Sequence, residues 1–245
     1  MFSEPVRGTP PSTAVVSDPS PAPWPQRRGH EGRYVRVEPL APATHGDDLY
    51  AASHGDAAKA RIWDYLAYGP FASESDFVAH LKRQAASDDP LFFAIRPQAS
   101  GRAEGIASLM SIVPANRSIE IGHIWLSPSL QRTPAATEAL YLLIAHAIDD
   151  LGYRRMEWKC NAANAASRAA ACRLGFIHEG VFHQHMIVKG HNRDTAWFSI
   201  LDHEWPAIRA NFVTWLDPSN FDEEGQQRIS LGTLNRALTD VLARA

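Results

Sequence analysis

Asn164-Ala165-Ala166-Ser167, running through an alanine-rich stretch to Leu174-Gly175-Phe176, decides the reading of this chain. Asn164 is a helix-capping residue at the head of the run, and Gly175 ends it. A second stretch lies upstream, Gln131-Arg132-Thr133-Pro134-Ala135-Ala136-Thr137-Glu138. There Thr133 suits the N-cap and Pro134 the first helical position. Each stretch leaves a strand and enters a helix. Each therefore presents backbone N–H groups that have no partner within the helix, at the positive end of its dipole. Taken singly, each is a capped helix start. Taken in order, they mark two anion- or polar-ligand-binding turns.

The spacing of apolar residues fills in the chain on either side. Tyr34-Val-Arg-Val37 alternates as a strand and Pro39 ends it. Asp47 to Tyr65 carries helical spacing, and Glu74 to Ala86 is a clearer amphipathic helix with Phe77, Val78 and Leu81 on one face. Leu91 to Ile95 and Ile106 to Pro114 read as strands. Ile119-Glu-Ile-Gly-His-Ile-Trp-Leu126 is a strand whose alternation slips by one at Gly122-His123, as a bulge would make it do. Leu140, Leu143, Ile144, Ala147, Ile148 and Leu151 give a core-facing helix closed by Gly152. Arg155 to Cys160 alternates as a strand. Gly180 to Val188 and Asp194 to Leu201 read as a hairpin about Lys189-Gly-His-Asn-Arg193. From Glu204 on, two helices are expected, separated by Asp217-Pro218.

Composition bounds the class. The chain has 245 residues, a formal net charge of −3 and two cysteines, Cys160 and Cys172. That balance leaves no nucleic-acid footprint, and two cysteines make no disulfide framework. A reducing, cytoplasmic setting is expected. The apolar run around residues 139–148 is too short for a membrane span, and the N-terminus has no signal-peptide core. Residues 1–29, rich in proline among Ser, Thr and Gly, read as a disordered tail. Residues 30–205 read as one domain and 206–245 as a helical extension.

The two helix starts resemble the acyl-CoA site of the Gcn5-related N-acetyltransferase (GNAT) superfamily, nearest its RimJ/RimL-like branch, whose members acetylate protein N-termini and other amines. The resemblance spans residues 32–205. It implies an α/β (α+β) fold with a mixed, mostly antiparallel central sheet, flanked by helices. In that fold the strand at 119–126 bulges and splays from its neighbour to admit the pantetheine arm. The family's pyrophosphate loop reads Gln/Arg-x-x-Gly-x-Gly/Ala. Gln131 and Ala136 match it, while Pro134 replaces the central glycine and deletes one N–H. A lost donor to a charged phosphate costs on the order of 1.5–3 kcal/mol, which Arg132 can offset as an added cation. The resemblance thus assigns acetyl-CoA binding to Gln131, Arg132, Thr133, Pro134, Ala135, Ala136 and Thr137 in the loop. Ile124, Trp125 and Leu126 serve on the bulged strand, and Asn164 and Ser167 on the second helix.

Acetyl transfer from a thioester to an amine needs a neutral amine, a polarised carbonyl and a proton for the leaving thiolate. It needs no nucleophilic side chain, so Cys160 and Cys172 read as small apolar residues. Family placement makes Glu120 the general base, directly or through water; the competing reading is a surface carboxylate in a cross-strand pair. His123 is the second candidate base. Backbone N–H groups near Trp125 and Leu126 would polarise the carbonyl. The tyrosine acid of many relatives has no counterpart between Asn164 and His203, which leaves Ser167 or water. His183 and His185 lack acidic or cysteine companions and read as surface residues, with no metal expected. Lys189 to Arg193 is a basic hairpin tip, either solvated or in contact with an acidic group. Trp63, Tyr65, Tyr68 and Phe71 would line an acceptor pocket or fill the core. The acceptor is expected to be a peptide N-terminus or a small-molecule amine, with neither nucleic acid nor membrane as partner and a homodimer left open. A non-catalytic acyl-CoA sensor is the rival from another class.

Overall fold

The computed structural model describes residues 12–242. The chain forms two compact units. Among the described residues, one holds 23–112 and 119–151; the other holds 12–22, 113–118 and 152–242.

In the first unit, β1 (His30–Glu31), β2 (Val35–Pro39), β3 (Leu91–Pro97), β4 (Gly105–Val113) and β5 (Ser118–Leu126) lie side by side in that order. β1–β2, β2–β3 and β3–β4 are antiparallel. The helices are α1 (Pro42–Ser53), α2 (Ala57–Ala60), α3 (Glu74–Ala86) and α4 (Pro134–Ala145), with a single 3₁₀ turn at Arg61–Trp63; a second such turn, Pro114–Asn116, belongs to the other unit. α3 keeps the expected bounds because Ser73 caps it, its hydroxyl accepting from the Asp76 N–H at 3.2 Å. The continuous helix expected over 47–65 is not formed. α1 begins earlier, at Pro42, and stops at His54. Gly55 then turns with φ 108°, which a residue with a Cβ rarely adopts, and Asp56 caps α2 afresh. Leu49, Trp63, Phe77, Leu81, Phe92, Ile106 and Trp125 make the core of this unit. Trp63 is its hub: its ring lies 5.6 Å from both Phe71 and Trp125 and 6.3 Å from Phe77. Such pairs add about 0.5–1.5 kcal/mol each beyond the area they bury.

α4 packs on β1, β2 and β3. Its Glu138 is buried and accepts from the N–H groups of Arg33 and Tyr34 at 2.9 and 2.6 Å, so a helix side chain closes the turn between the first two strands. The helix expected to run to Leu151 widens over His146–Asp150 into one π-type turn before Gly152.

In the second unit the strand order is β6 (Arg155–Asn161), β8 (His191–Leu201), β7 (Ile177–Val188), all antiparallel. The hairpin turn is shorter than expected: Lys189 and Gly190 alone make it, with φ 49° and 78°, the two-residue turn whose twist suits paired strands. α5 (Ala165–Arg173) stops at Gly175, where φ is 96°. α6 (Trp205–Leu216) and α7 (Leu231–Leu242) follow, on either side of Asp217-Pro218. α7 packs on both α5 and α6. Asn235, 2% exposed, donates to the Arg173 carbonyl at the end of α5 (2.9 Å) and accepts from Asn211 of α6 (2.9 Å).

Of the segment expected as a tail, residues 1–11 lie outside the described residues. Residues 12–29 form no helix or strand. In the second unit Asp18 pairs with Arg117 at 2.6 Å, and the Ala22 N–H donates to the Pro114 carbonyl. In the first unit Arg27 pairs with Asp88 and Arg28 with Asp150.

Candidate functional site

The loop into α4 is built by its own hydrogen bonds. Leu130 and Gln131 donate backbone N–H groups to the Ser127 carbonyl, and the Thr133 hydroxyl donates to the Leu130 carbonyl at 2.7 Å. Thr133 then caps the helix, its Oγ1 accepting from the Ala136 N–H at 3.2 Å, with Pro134 at the first helical position. Gln131 spends its side-chain amide on the Leu126 carbonyl at 3.0 Å. Arg132 has φ 64° and an exposed side chain. The N–H groups of Arg132, Thr133 and Ala135 meet no acceptor among the described residues, and the Arg132 guanidinium meets no carboxylate there. A helix start with open donors, a favourable dipole and a nearby cation is suited to a phosphate.

β5 carries the candidate catalytic residues. Residues 119–122 are all buried, Trp125 is buried beyond them while Ile124 and Leu126 are only partly so, and His123 sits in the left-handed region at φ 50°. A non-glycine residue there costs about 1–2 kcal/mol and turns its side chain out of the strand's alternation. Glu120 is 4% exposed and accepts from the Ser111 hydroxyl at 3.0 Å. The reading of Glu120 as a surface carboxylate therefore gives way to a buried one. The backbone carbonyl of Gly122 accepts from the Ser108 hydroxyl at 3.0 Å, fixing the strand beside the bulge.

His123 belongs to an aromatic group that includes Tyr68. Its ring lies nearly parallel to the Tyr68 ring (17°), 5.6 Å between centroids, and tilts against Phe92 at 5.2 Å. Nδ1 of His123 is 3.2 Å from the Tyr68 hydroxyl. Tyr68 also packs on His80, 4.4 Å between ring centroids. Burial raises the Tyr68 phenol well above its ordinary range. Burial, then the charges of Arg83 and His123, lower His80 to about 4. At neutral pH both are uncharged.

In the second unit, Asn164 caps α5, its Oδ1 accepting from the Ser167 N–H at 3.0 Å. The turn before it is closed by Asn161, whose Oδ1 accepts from the Ala163 N–H. The Ser167 hydroxyl oxygen accepts from Trp158 Nε1 at 3.1 Å. Ala165, Ala166 and Ala169 are exposed and small, so the first turn of α5 can be approached closely. Cys160 is buried and Cys172 partly so, both as thiols. His183 and His185 are engaged with Asp194 and Thr195. No group of three or more His, Cys, Asp and Glu among the described residues is arranged to hold a metal ion. No helix there is long and apolar enough to cross a membrane.

A set of open N–H donors at one helix start and a buried carboxylate on a kinked strand are groups that acyl transfer can use. The family described as acetyltransferase (GNAT) domain matches residues 36–177. A GCN5-related N-acetyltransferase from Brucella melitensis is 49% identical, with a TM-score of 0.86 over 89% of this chain and 98% of that one. This chain belongs to the GNAT family. The ribosomal-protein-serine acetyltransferase of Escherichia coli (strain K12) is 39% identical over 33% of this chain and 44% of its own length. The chain spans about half the length of the curated relatives it matches. The microcin C7 self-immunity acetyltransferase, crystallised with acetyl-CoA and AMP, is 25% identical with a TM-score of 0.61 over 69% of this chain and 96% of that one.

The sequence had pointed to Glu120, His123 and the two helix starts. It left Tyr68 undecided between pocket and core and passed over Ser111 and His80. The spacing in 61–80 follows no single period, because a 3₁₀ turn and loop separate α2 from α3. Pairings such as Tyr68 with His123 are long-range and leave no local pattern.

Proposed function

We propose that this protein transfers an acetyl group from acetyl-CoA directly to a primary amine, with a protein N-terminus as the acceptor. The observation that carries the reading is the start of α4, where three backbone N–H groups and Arg132 stand open beside a strand holding a buried carboxylate. Acetyl-CoA would supply the activated thioester. The loop from Gln131 to Thr137 would take its diphosphate, Pro134 withholding one donor and Arg132 adding a charge. Asn164 and Ser167 would serve the pantetheine arm and thiol, as the family resemblance assigns. Ile124, Trp125 and Leu126 would border the reacting group, their N–H groups polarising its carbonyl.

Glu120 takes the proton that the amine loses as its nitrogen bonds to the carbonyl carbon, directly or through one water. Ser111 keeps that carboxylate oriented. As the carbon–sulfur bond breaks, the Ser167 hydroxyl or a water returns a proton to sulfur. The acceptor assignment is supported by the E. coli relative, which by its name modifies a ribosomal-protein serine. The test is a panel of peptides with free N-termini and of small amines, read by acetyl mass gain and by release of free thiol. Peptide products are expected. Products from small amines alone would replace the acceptor, and acetyl-CoA binding with neither product would make the domain a sensor.

A further inference from the structure

Gly122 stands on β5 between Glu120 and the kink at His123, and a side chain from the neighbouring strand β4 covers it. A Cβ placed on Gly122 would lie 2.5 Å from Sδ of Met110, 3.3 Å from its Cγ and 3.5 Å from Oε1 of Glu120. Glycine is needed here for room and not for backbone shape, since its φ is not in the left-handed region. The Met110 thioether thus rests on the bare α-carbon of Gly122, on the Oε1 side of the carboxylate. Ser111, the next residue of β4, donates to Oε2 of that carboxylate. Glu120 is buried while Met110 is only half so, and the exposed part of Met110 borders the approach to Oε1. An amine nitrogen that comes within hydrogen-bond reach of Oε1 brings its own carbon and first substituents against Met110. Methionine is unbranched and polarisable, and fills an irregular gap of this kind well.

We propose that Met110, seated on Gly122, is a specificity-determining residue for the acceptor. It fills the space that a large side chain on the amine-bearing carbon would need, and so admits peptides that begin with a small, uncharged residue such as glycine, alanine or serine. The inference rests on the acetyl-transfer reading above, with Glu120 as the base, and adds which N-termini that reading serves. A charged first side chain finds no partner in a thioether, and leaving a charge unpaired beside a buried wall is costly. An acidic one is also repelled by the Glu120 carboxylate. The selection is by size because Met110 occupies the gap from one strand while the missing side chain of Gly122 opens it from the other.

The test uses two peptides identical except for the first residue, serine or leucine, and reads kcat and KM from the acetylated product. The wild type is expected to favour the serine peptide. Met110→Ala should reduce that preference about tenfold or more, the scale set by a methylene or two in a pocket, with acetyl-CoA affinity unchanged in calorimetry. Gly122→Ala acts in the opposite sense: its methyl displaces Met110 toward the acceptor and should sharpen the preference. On the Met110→Ala background the same methyl should alter the preference little. Gly122→Ala decides the question by itself where melting curves show that Met110→Ala does not fold. A wild type indifferent to the first residue, a preference unaltered in both single variants, or a Gly122→Ala effect that persists undiminished without Met110 would overturn the proposal. Absence of acetylated peptide from every form would remove the acetyl-transfer reading and this inference with it; product with an unaltered preference removes this inference alone.

Discussion

Glu120 is the residue on which the proposed chemistry turns, and its surroundings make a sharp test possible. Ser111 donates to one of its oxygens, and glutamine in its place keeps size and hydrogen bonding but cannot take a proton. Since a general base contributes about 10²–10⁴-fold, Glu120→Gln should lower kcat within that range and leave acetyl-CoA affinity nearly unchanged. Titration calorimetry beside a pH–rate profile checks both halves, and near-normal turnover at neutral pH would move the base elsewhere. The loop makes a second case. Pro134→Gly restores an N–H, so acetyl-CoA affinity should hold or rise, whereas Arg132→Ala should weaken it. Tighter binding by Arg132→Ala would place the phosphates away from this loop. Glu120 and Pro134 could be singled out from the sequence, Glu120 by its place on the strand before the loop and Pro134 by its departure from the family's loop pattern. Ser111 could not. It acts from β4, and a partner on another strand leaves no mark in the sequence around Glu120.

At the scale of elements, caps decided what could be read. α3 was legible to the residue because Ser73 precedes it and its apolar face is regular. α1 and α2 were misread as one helix, since helical spacing continues across Gly55 while the backbone does not. α5 is the informative case. Asn164 caps it and is also assigned to the cofactor, so a simple deletion confounds two roles. Asn164→Ala should cost about 0.5–2 kcal/mol of stability, and Asn164→Ser should recover most of it because serine caps equally well. If Asn164 also meets the pantetheine arm, the serine variant should regain stability without regaining acetyl-CoA affinity. Calorimetric unfolding and binding on the two variants separate the roles, and affinity that tracks stability in both would reduce Asn164 to a cap.

For the whole molecule, pH is the clearest probe. Burial lowers His30 to about 4, assisted by the charges of His146 and Arg28, and burial likewise lowers His80 to about 4. Their ordinary value is 6.5. Below 6.5 the unfolded chain takes up protons that the folded one refuses. Stability should thus be full above about pH 6.5 and fall as pH drops toward 4, the interval between those two values. Asp18 and Asp194 sit at about 2, held down by their hydrogen bonds, and matter only at lower pH. Melting temperatures from pH 8 to 4 check this, and His30→Gln with His80→Gln should flatten the decline. A melting temperature constant from 6.5 to 4.5 would contradict it. Much of the architecture was legible, because periodicity marks strands and helices locally. What residues 12–29 and the C-terminal helices do was not, since their partners lie far off in the chain, as Asp18 with Arg117 shows. The bond from Asn235 to the Arg173 carbonyl spans 62 residues. During synthesis at about 5–20 residues per second, the end of α5 therefore waits roughly 3–12 s for its partner to be made. The helix whose other end is assigned to the cofactor gains this contact only after the 62 residues that follow Arg173 have been added, so a nascent chain that has not reached Asn235 lacks it.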